Sequence, residues 1–150
     1  MNAGERYYRI DGVRMKVRDV GEGRPILLIN GLGGHTSMWA PLESHLPGRR
    51  VISFDAPGLG DSGTVWPPPT IGMAADLVAH LLDALGIDET DVLGYSFGGA
   101  VAQQLAFTHR GRVRRLVLGA TLPGWGAVMG ETRSMALAWN PLRYYSRSFY

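Results

Sequence analysis

The stretch TDVLGYSFGGAVAQQLAFTH, residues 90–109, decides the fold, because it joins two periodicities across one serine. TDVLGY, residues 90–95, is an apolar run of strand length, whereas FGGAVAQQLAFTH, residues 97–109, carries small and apolar residues at helical spacing. Ser96 stands at the junction with Gly94 and Gly98 on either side. The bare G-x-S-x-G pattern says little, since 21 glycines and eight serines in 150 residues produce it by chance about 0.16 times. Its setting says more: a strand-turn-helix junction is where a serine hydroxyl is presented on a sharp turn for nucleophilic attack. In that setting the two glycines remove side chains that would collide with the neighbouring strand and turn. The helix that follows aims its first amides at the serine, so the Phe97 N–H becomes a candidate oxyanion donor. Ser96 is the candidate nucleophile, and Tyr95 beside it a candidate pocket residue.

Upstream, PILLIN, residues 25–30, reads as a strand buried on both faces, and it runs into the glycine-rich loop GLGGH, residues 31–35. Such a loop lets backbone approach a substrate carbonyl closely. The Leu32 N–H is the candidate second donor, with Asn30 and Gly31 as candidate pocket lining; the competing reading of NGLGG is a plain strand-to-helix turn. Residues 7–10 and 13–20 read as a hairpin joined by Asp11-Gly12, a pair suited to a two-residue turn. Thr36 or Ser37 is expected to cap a helix over 38–46. RRVISFD, residues 49–55, is a further buried strand, APGLGDSG a loop, and WPPP, residues 66–69, a stiff spacer. Thr70 opens the clearest helix, with Ala74, Leu77, Val78, Leu81, Leu82 and Leu85 as its core stripe and Asp76, His80 and Asp83 on the other face. VRRLVLGAT, residues 113–121, is another strand. Strands alternating with helices predict an α/β fold built on a mostly parallel sheet with an N-terminal hairpin.

Composition narrows the function classes. With 150 residues, of which 45% are hydrophobic, the chain has the core of one domain or of part of a larger one. A net charge of +2 and 19% charged residues point to neither nucleic acid nor membrane as a partner. The arginines at 110, 112, 114 and 115 read as a solvated loop beside a helix end. The absence of cysteine excludes disulfides, thiolate zinc sites and a cysteine nucleophile. No run approaches a membrane span or a leader's apolar segment, so a cytoplasmic protein is expected. Nothing in the sequence asks for a metal or organic cofactor, and neither glycine loop has the spacing of a phosphate-binding loop.

INGLGGH, FDAPGLGDS and GYSFGGAVAQQLA, in this order and spacing, resemble the α/β-hydrolase family over about residues 7–121. One departure is Asn30, which stands where that family usually has a histidine before Gly31. FGGAVAQQLA, LVLGAT and GAVMG further resemble intracellular poly(3-hydroxyalkanoate) depolymerases, which implies hydrolysis of 3-hydroxyalkanoate esters. Other activities on the same scaffold, carbon-carbon bond hydrolysis and haloperoxidase-like chemistry, are alternatives. Dehalogenases and epoxide hydrolases are disfavoured, because a carboxylate attacks an alkyl carbon where a serine suits an acyl carbon.

The resemblance implies an acid and then a histidine after the serine. After Ser96 the chain offers only Glu131 and His109. His109 lies about 18 Å along the helix from Ser96 and cannot be the base. His35, in the glycine loop, is either a substitute base or a loop cap, and His45 and His80 read as helix-surface residues. The expectation is therefore an N-terminal half: residues 1–121 form part of the hydrolase core, residues 122–150 begin a helical cap, and the triad acid and histidine follow Tyr150. Trp125, Met129, Met135 and Trp139 would line an acyl pocket or pack on the sheet. A chain ending there would leave the 113–119 strand as an open edge prone to self-association, and Ser96 without a base, which keeps a catalytically inert product as a third reading.

Overall fold

A computed structural model describes residues 4–122. Its six strands form one sheet in the order β1-β2-β4-β3-β5-β6: β1 (Glu5–Ile10), β2 (Val13–Val20), β3 (Arg24–Ile29), β4 (Arg49–Phe54), β5 (Thr90–Tyr95) and β6 (Val113–Gly119). β3, β4, β5 and β6 run parallel, and the β1–β2 hairpin joins antiparallel through β2 against β4. The hairpin turns at Asp11 and Gly12, both with positive φ (48° and 81°), as the Asp-Gly pair predicts.

β3 explains why the sheet is covered on both sides. Leu27 and Ile29 enter one core cluster while Ile26 and Leu28 enter another, so alternate residues of one strand feed opposite faces. α2 (Ile71–Ala84) and α3 (Phe97–Thr108) cover the first face, and Trp39, Leu42 and Leu46 cover the second. Thr70 caps α2 by accepting the Met73 N–H at 3.2 Å. The buried stripe of α2 differs from the expected one: Ala75 and Ala79 are fully inside, whereas Ala74 and Leu85 are partly buried. Because α2 packs against both α3 and the β1 strand of the sheet, its buried arc is wider than one stripe.

Two further expectations are corrected. The helix over 38–46 is replaced by a 3-10 turn, Thr36–Trp39, and a single helical turn, α1 (Ala40–Glu43). Neither Thr36 nor Ser37 caps it; His35 holds the cap position without a side-chain bond to the helix amides, and Thr36 is buried. Pro47 disfavours helical backbone at Leu46, so the helix has no room to propagate. What keeps α1 in place is tertiary: Arg18 of β2 donates through Nε to both Glu43 carboxylate oxygens at 3.0 Å. The arginine cluster is also not simply solvated. Arg112 donates to Asp83 (2.7 Å) and to the Ile87 carbonyl (2.9 Å), and Arg114 donates to the buried carboxylate of Asp91 (2.5 Å).

β6 pairs with β5 alone among the described residues, and Leu116, Val117 and Leu118 are exposed along it. Ala120, at φ 47°, turns the chain out of the strand, two residues earlier than the sequence suggested. The cap reading of 122–150, with Trp125, Met129, Glu131, Met135 and Trp139, falls outside the described residues apart from Leu122. No described helix is long and apolar enough to cross a membrane.

Candidate active site

Parallel strands carry their C-terminal ends to one edge, and the loops leaving β3 and β5 meet there. Ser96 lies between β5 and α3 with φ 54° and ψ −120°, a conformation that side chains other than glycine rarely adopt. The backbone around it accounts for how that is sustained. Its N–H donates to the Gly119 carbonyl at 2.9 Å, and its carbonyl accepts the Gly99 N–H at 2.9 Å. Ser96 is exposed, and its hydroxyl has no hydrogen-bond partner among the described residues.

The flanking glycines are required by contact. A Cβ at Gly94 would lie 2.5 Å from the Gly98 carbonyl oxygen, and one at Gly98 would lie 2.3 Å and 2.4 Å from the carbonyl oxygens of Ile29 and Asn30. Gly98 thereby lets the first turn of α3 sit directly on the end of β3. Gly31 faces the serine itself, since a Cβ there would stand 3.0 Å from Ser96 Cβ and 3.4 Å from its Oγ. The two loops singled out in the sequence are thus in contact although 65 positions separate Gly31 from Ser96. As the first residue of α3, Phe97 has no intrahelical acceptor for its N–H, and the Leu32 N–H bonds to no backbone carbonyl among the described residues. Leu32, which follows Gly31 in the loop, and Tyr95, which precedes the serine in the chain, have exposed side chains.

The glycine loop is closed on itself. Gly34 N–H donates to the Gly31 carbonyl (3.1 Å), and Asn30 Nδ2 donates to the His35 carbonyl (3.0 Å). Asn30 therefore spans its own loop, and its side chain is a brace as much as a pocket wall. His35 pairs through Nδ1 with Ser37 Oγ at 2.8 Å. The other three histidines are engaged elsewhere: His45 with the Pro41 carbonyl, His80 with Asp11, and His109 with Asp76 at the far end of α3. None of the four is bonded to Ser96. Among the described residues no cluster of three metal-ligating side chains occurs.

Sequence reasoning missed Asp55. It ends the β4 run, is 1% exposed, and its carboxylate accepts the Thr36 N–H at 2.7 Å and the Asp61 N–H at 3.0 Å. The available signal was an acid directly after the apolar VISF, where a strand end is about to be buried between loops.

A family model for the alpha/beta hydrolase fold matches residues 24–146. The chain belongs to that family. Among curated members of the hydrolase fold, it is 38% identical over 121 residues to the poly(3-hydroxyalkanoate) depolymerase of Ectopseudomonas oleovorans, covering 80% of this chain and 43% of that protein. It is 37% identical over 145 residues to the 2-hydroxymuconate semialdehyde hydrolase of Pseudomonas sp. (strain CF600), covering 83% of this chain and 48% of the relative. The crystal structure of a hydrolase from Pseudomonas aeruginosa PA01 superposes with a TM-score of 0.78 at 30% identity, over 94% of this chain and 55% of that one. The chain thus spans less than half the length of these curated relatives.

Proposed function

We propose that the protein is a serine hydrolase of carboxylic esters, with Ser96 as nucleophile and the Leu32 and Phe97 N–H groups as oxyanion donors. The observation that carries the reading is the backbone of Ser96: a non-glycine residue at φ 54°, its hydroxyl without a partner among the described residues, facing the Gly31 loop. Strain of this kind costs on the order of 1–3 kcal/mol, and it suits a side chain whose position matters more than its contribution to stability. In the proposed reaction Ser96 Oγ bonds to the acyl carbon and the carbonyl electrons move onto oxygen, where the two amides stabilise them. The alcohol then leaves with a proton, and water releases the acid from the acyl-enzyme. The reading assigns the base and its orienting acid to residues of the whole protein beyond this chain, since all four histidines here hold other partners.

The substrate class that the likeness to the depolymerase supports is a poly- or oligo-3-hydroxyalkanoate ester. The likeness to a semialdehyde hydrolase supports a second reading, cleavage of a carbon-carbon bond beside a carbonyl, which uses the same oxyanion site. A fluorophosphonate probe should label the full protein at Ser96, with labelling and ester hydrolysis both abolished in Ser96→Ala. Undiminished labelling in the alanine variant would overturn the nucleophile. Turnover of 3-hydroxyalkanoate oligomers against 2-hydroxymuconate semialdehyde separates the two substrate classes.

A further inference from the structure

We infer that Asp55 is a positioning residue for the oxyanion loop, a deeper claim that rests on the reading of Ser96 as nucleophile. The loop from Asn30 to His35 leaves β3 at Ile29, so its near end is fixed by the sheet. Its two internal bonds, Gly34 to Gly31 and Asn30 to His35, shape the loop without attaching its far end to anything. Where the loop ends, its direct attachment is the 2.7 Å bond from the Thr36 N–H to Asp55 Oδ1, at the end of β4, the strand adjacent to β3; the packing of Trp39, Leu42 and Leu46 and the Arg18–Glu43 pair hold the segment that follows. Leu32 and its amide lie between these two anchors.

Asp55 is itself bonded at every polar atom, which is why it can serve as a fixed point. Its N–H donates to the Lys16 carbonyl of β2 (3.0 Å), its carbonyl accepts Ser62 Oγ (2.6 Å), and Oδ2 accepts the Asp61 N–H (3.0 Å). One buried side chain thus couples the loop facing Ser96 to the 56–63 loop. No cation among the described residues pairs with this carboxylate; two backbone amides hold it instead. Bonds from N–H groups to an ionised oxygen are short and strong, and a carboxylate has two such oxygens where an amide side chain has one. Asn at 55 therefore keeps at most one of the two loops.

The test uses the full protein, with two variants approaching the same bond from opposite ends. Asp55→Asn removes one acceptor; Thr36→Pro removes the donor at the first residue of the 3-10 turn, after the extended backbone of His35 that proline favours in its predecessor, and its Cδ, standing where the N–H pointed, also displaces Asp55 Oδ1. Readouts are the rate of fluorophosphonate labelling at Ser96, and amide exchange of the 31–36 and 58–62 loops with α2 as the folding reference. Both variants are expected to slow labelling about tenfold or more, because small displacements of a positioned donor are costly. Exchange in 31–36 should accelerate with α2 unchanged. Labelling at the parent rate in a folded Thr36→Pro variant overturns the inference, whether or not Asp55→Asn folds. A parent that is not labelled at Ser96 overturns the nucleophile and this claim with it, whereas a labelled parent with two unaffected variants overturns this claim alone.

Discussion

Gly72 and Gly98 occupy the same place in two helices, each the second residue, yet alanine should act on them with opposite sign. At Gly98 the added methyl would lie 2.3 Å from the Ile29 carbonyl oxygen, 2.4 Å from that of Asn30 and 2.7 Å from the Ile29 carbonyl carbon. All three are backbone atoms of the end of β3 and cannot rotate away. To reach an ordinary carbon-oxygen contact of about 3.4 Å, the first turn of α3 must retreat by about 1 Å. Overpacking of this kind costs on the order of 3 kcal/mol, which lowers the folding constant roughly 150-fold. At Gly72 the nearest atom outside the helix is Thr70 Oγ1 at 3.9 Å, so the methyl meets only solvent and ordinary contact. There the reduced freedom of the unfolded chain should stabilise by about 0.5 kcal/mol. Urea unfolding followed by circular dichroism reads both: with m near about 2 kcal/mol/M, the midpoint falls by about 1.5 M in Gly98→Ala and rises by about 0.25 M in Gly72→Ala. A Gly98→Ala midpoint equal to the parent's would mean that α3 does not rest on β3 as described, and the placement of Ser96 would lose its support.

Two further outcomes are expected. Ser96→Gly should raise the urea midpoint by the equivalent of about 1 kcal/mol by relieving the positive φ, while losing all fluorophosphonate labelling; a fall in stability would show that the serine is not strained. Asp91, buried at the opposite end of the sheet, accepts Arg49 (2.7 Å) and Arg114 (2.5 Å) on Oδ2. Burial pushes its carboxyl up, but the Arg114 and Arg49 hydrogen bonds together outweigh this and hold it below the usual 3.8. A depressed carboxylate stabilises the fold above its unfolded pKa, and this contribution is lost as pH falls through the folded value, below 3.8. Asp91→Asn should therefore cost about 2 kcal/mol at neutral pH, with the deficit shrinking in acid; a deficit unchanged at about pH 2 would refute the ion pair as its source.

Elements with a strong local signal were legible in the sequence. The hairpin at Asp11-Gly12, the doubly buried β3 and the strand-turn-helix around Ser96 each carry their own period or turn chemistry, and each lies within a residue or two of its expected bounds. What escaped depends on partners distant in sequence. α1 is short because Pro47 stops it and Arg18, 25 residues upstream of Glu43, holds it. The arginines near 112 looked like a solvated cluster because their acids, Asp83 and Asp91, sit on other elements. Asp55 was invisible for the same reason: its acceptors serve amides 19 residues before and six after, and no local pattern encodes that. In the site, the contact of Gly31 with Ser96 depends on β3 and β5 being neighbours, a pairing that periodicity does not specify.

That pairing also sets an order of events during synthesis. Once β4 has emerged, β1, β2, β4 and β3 can assemble with β3 outermost, its apolar residues bare on one margin. The 41 residues from Asp55 to Tyr95 must be added before β5 can dock there, about 2–8 s at ordinary translation rates. In that interval the nascent chain presents a sticky strand margin that a chaperone or another nascent chain could engage. The arrival of β5 ends the exposure and in the same movement brings Ser96 to Gly31, so this part of the site is assembled by the event that makes the young chain safe from misassociation at β3.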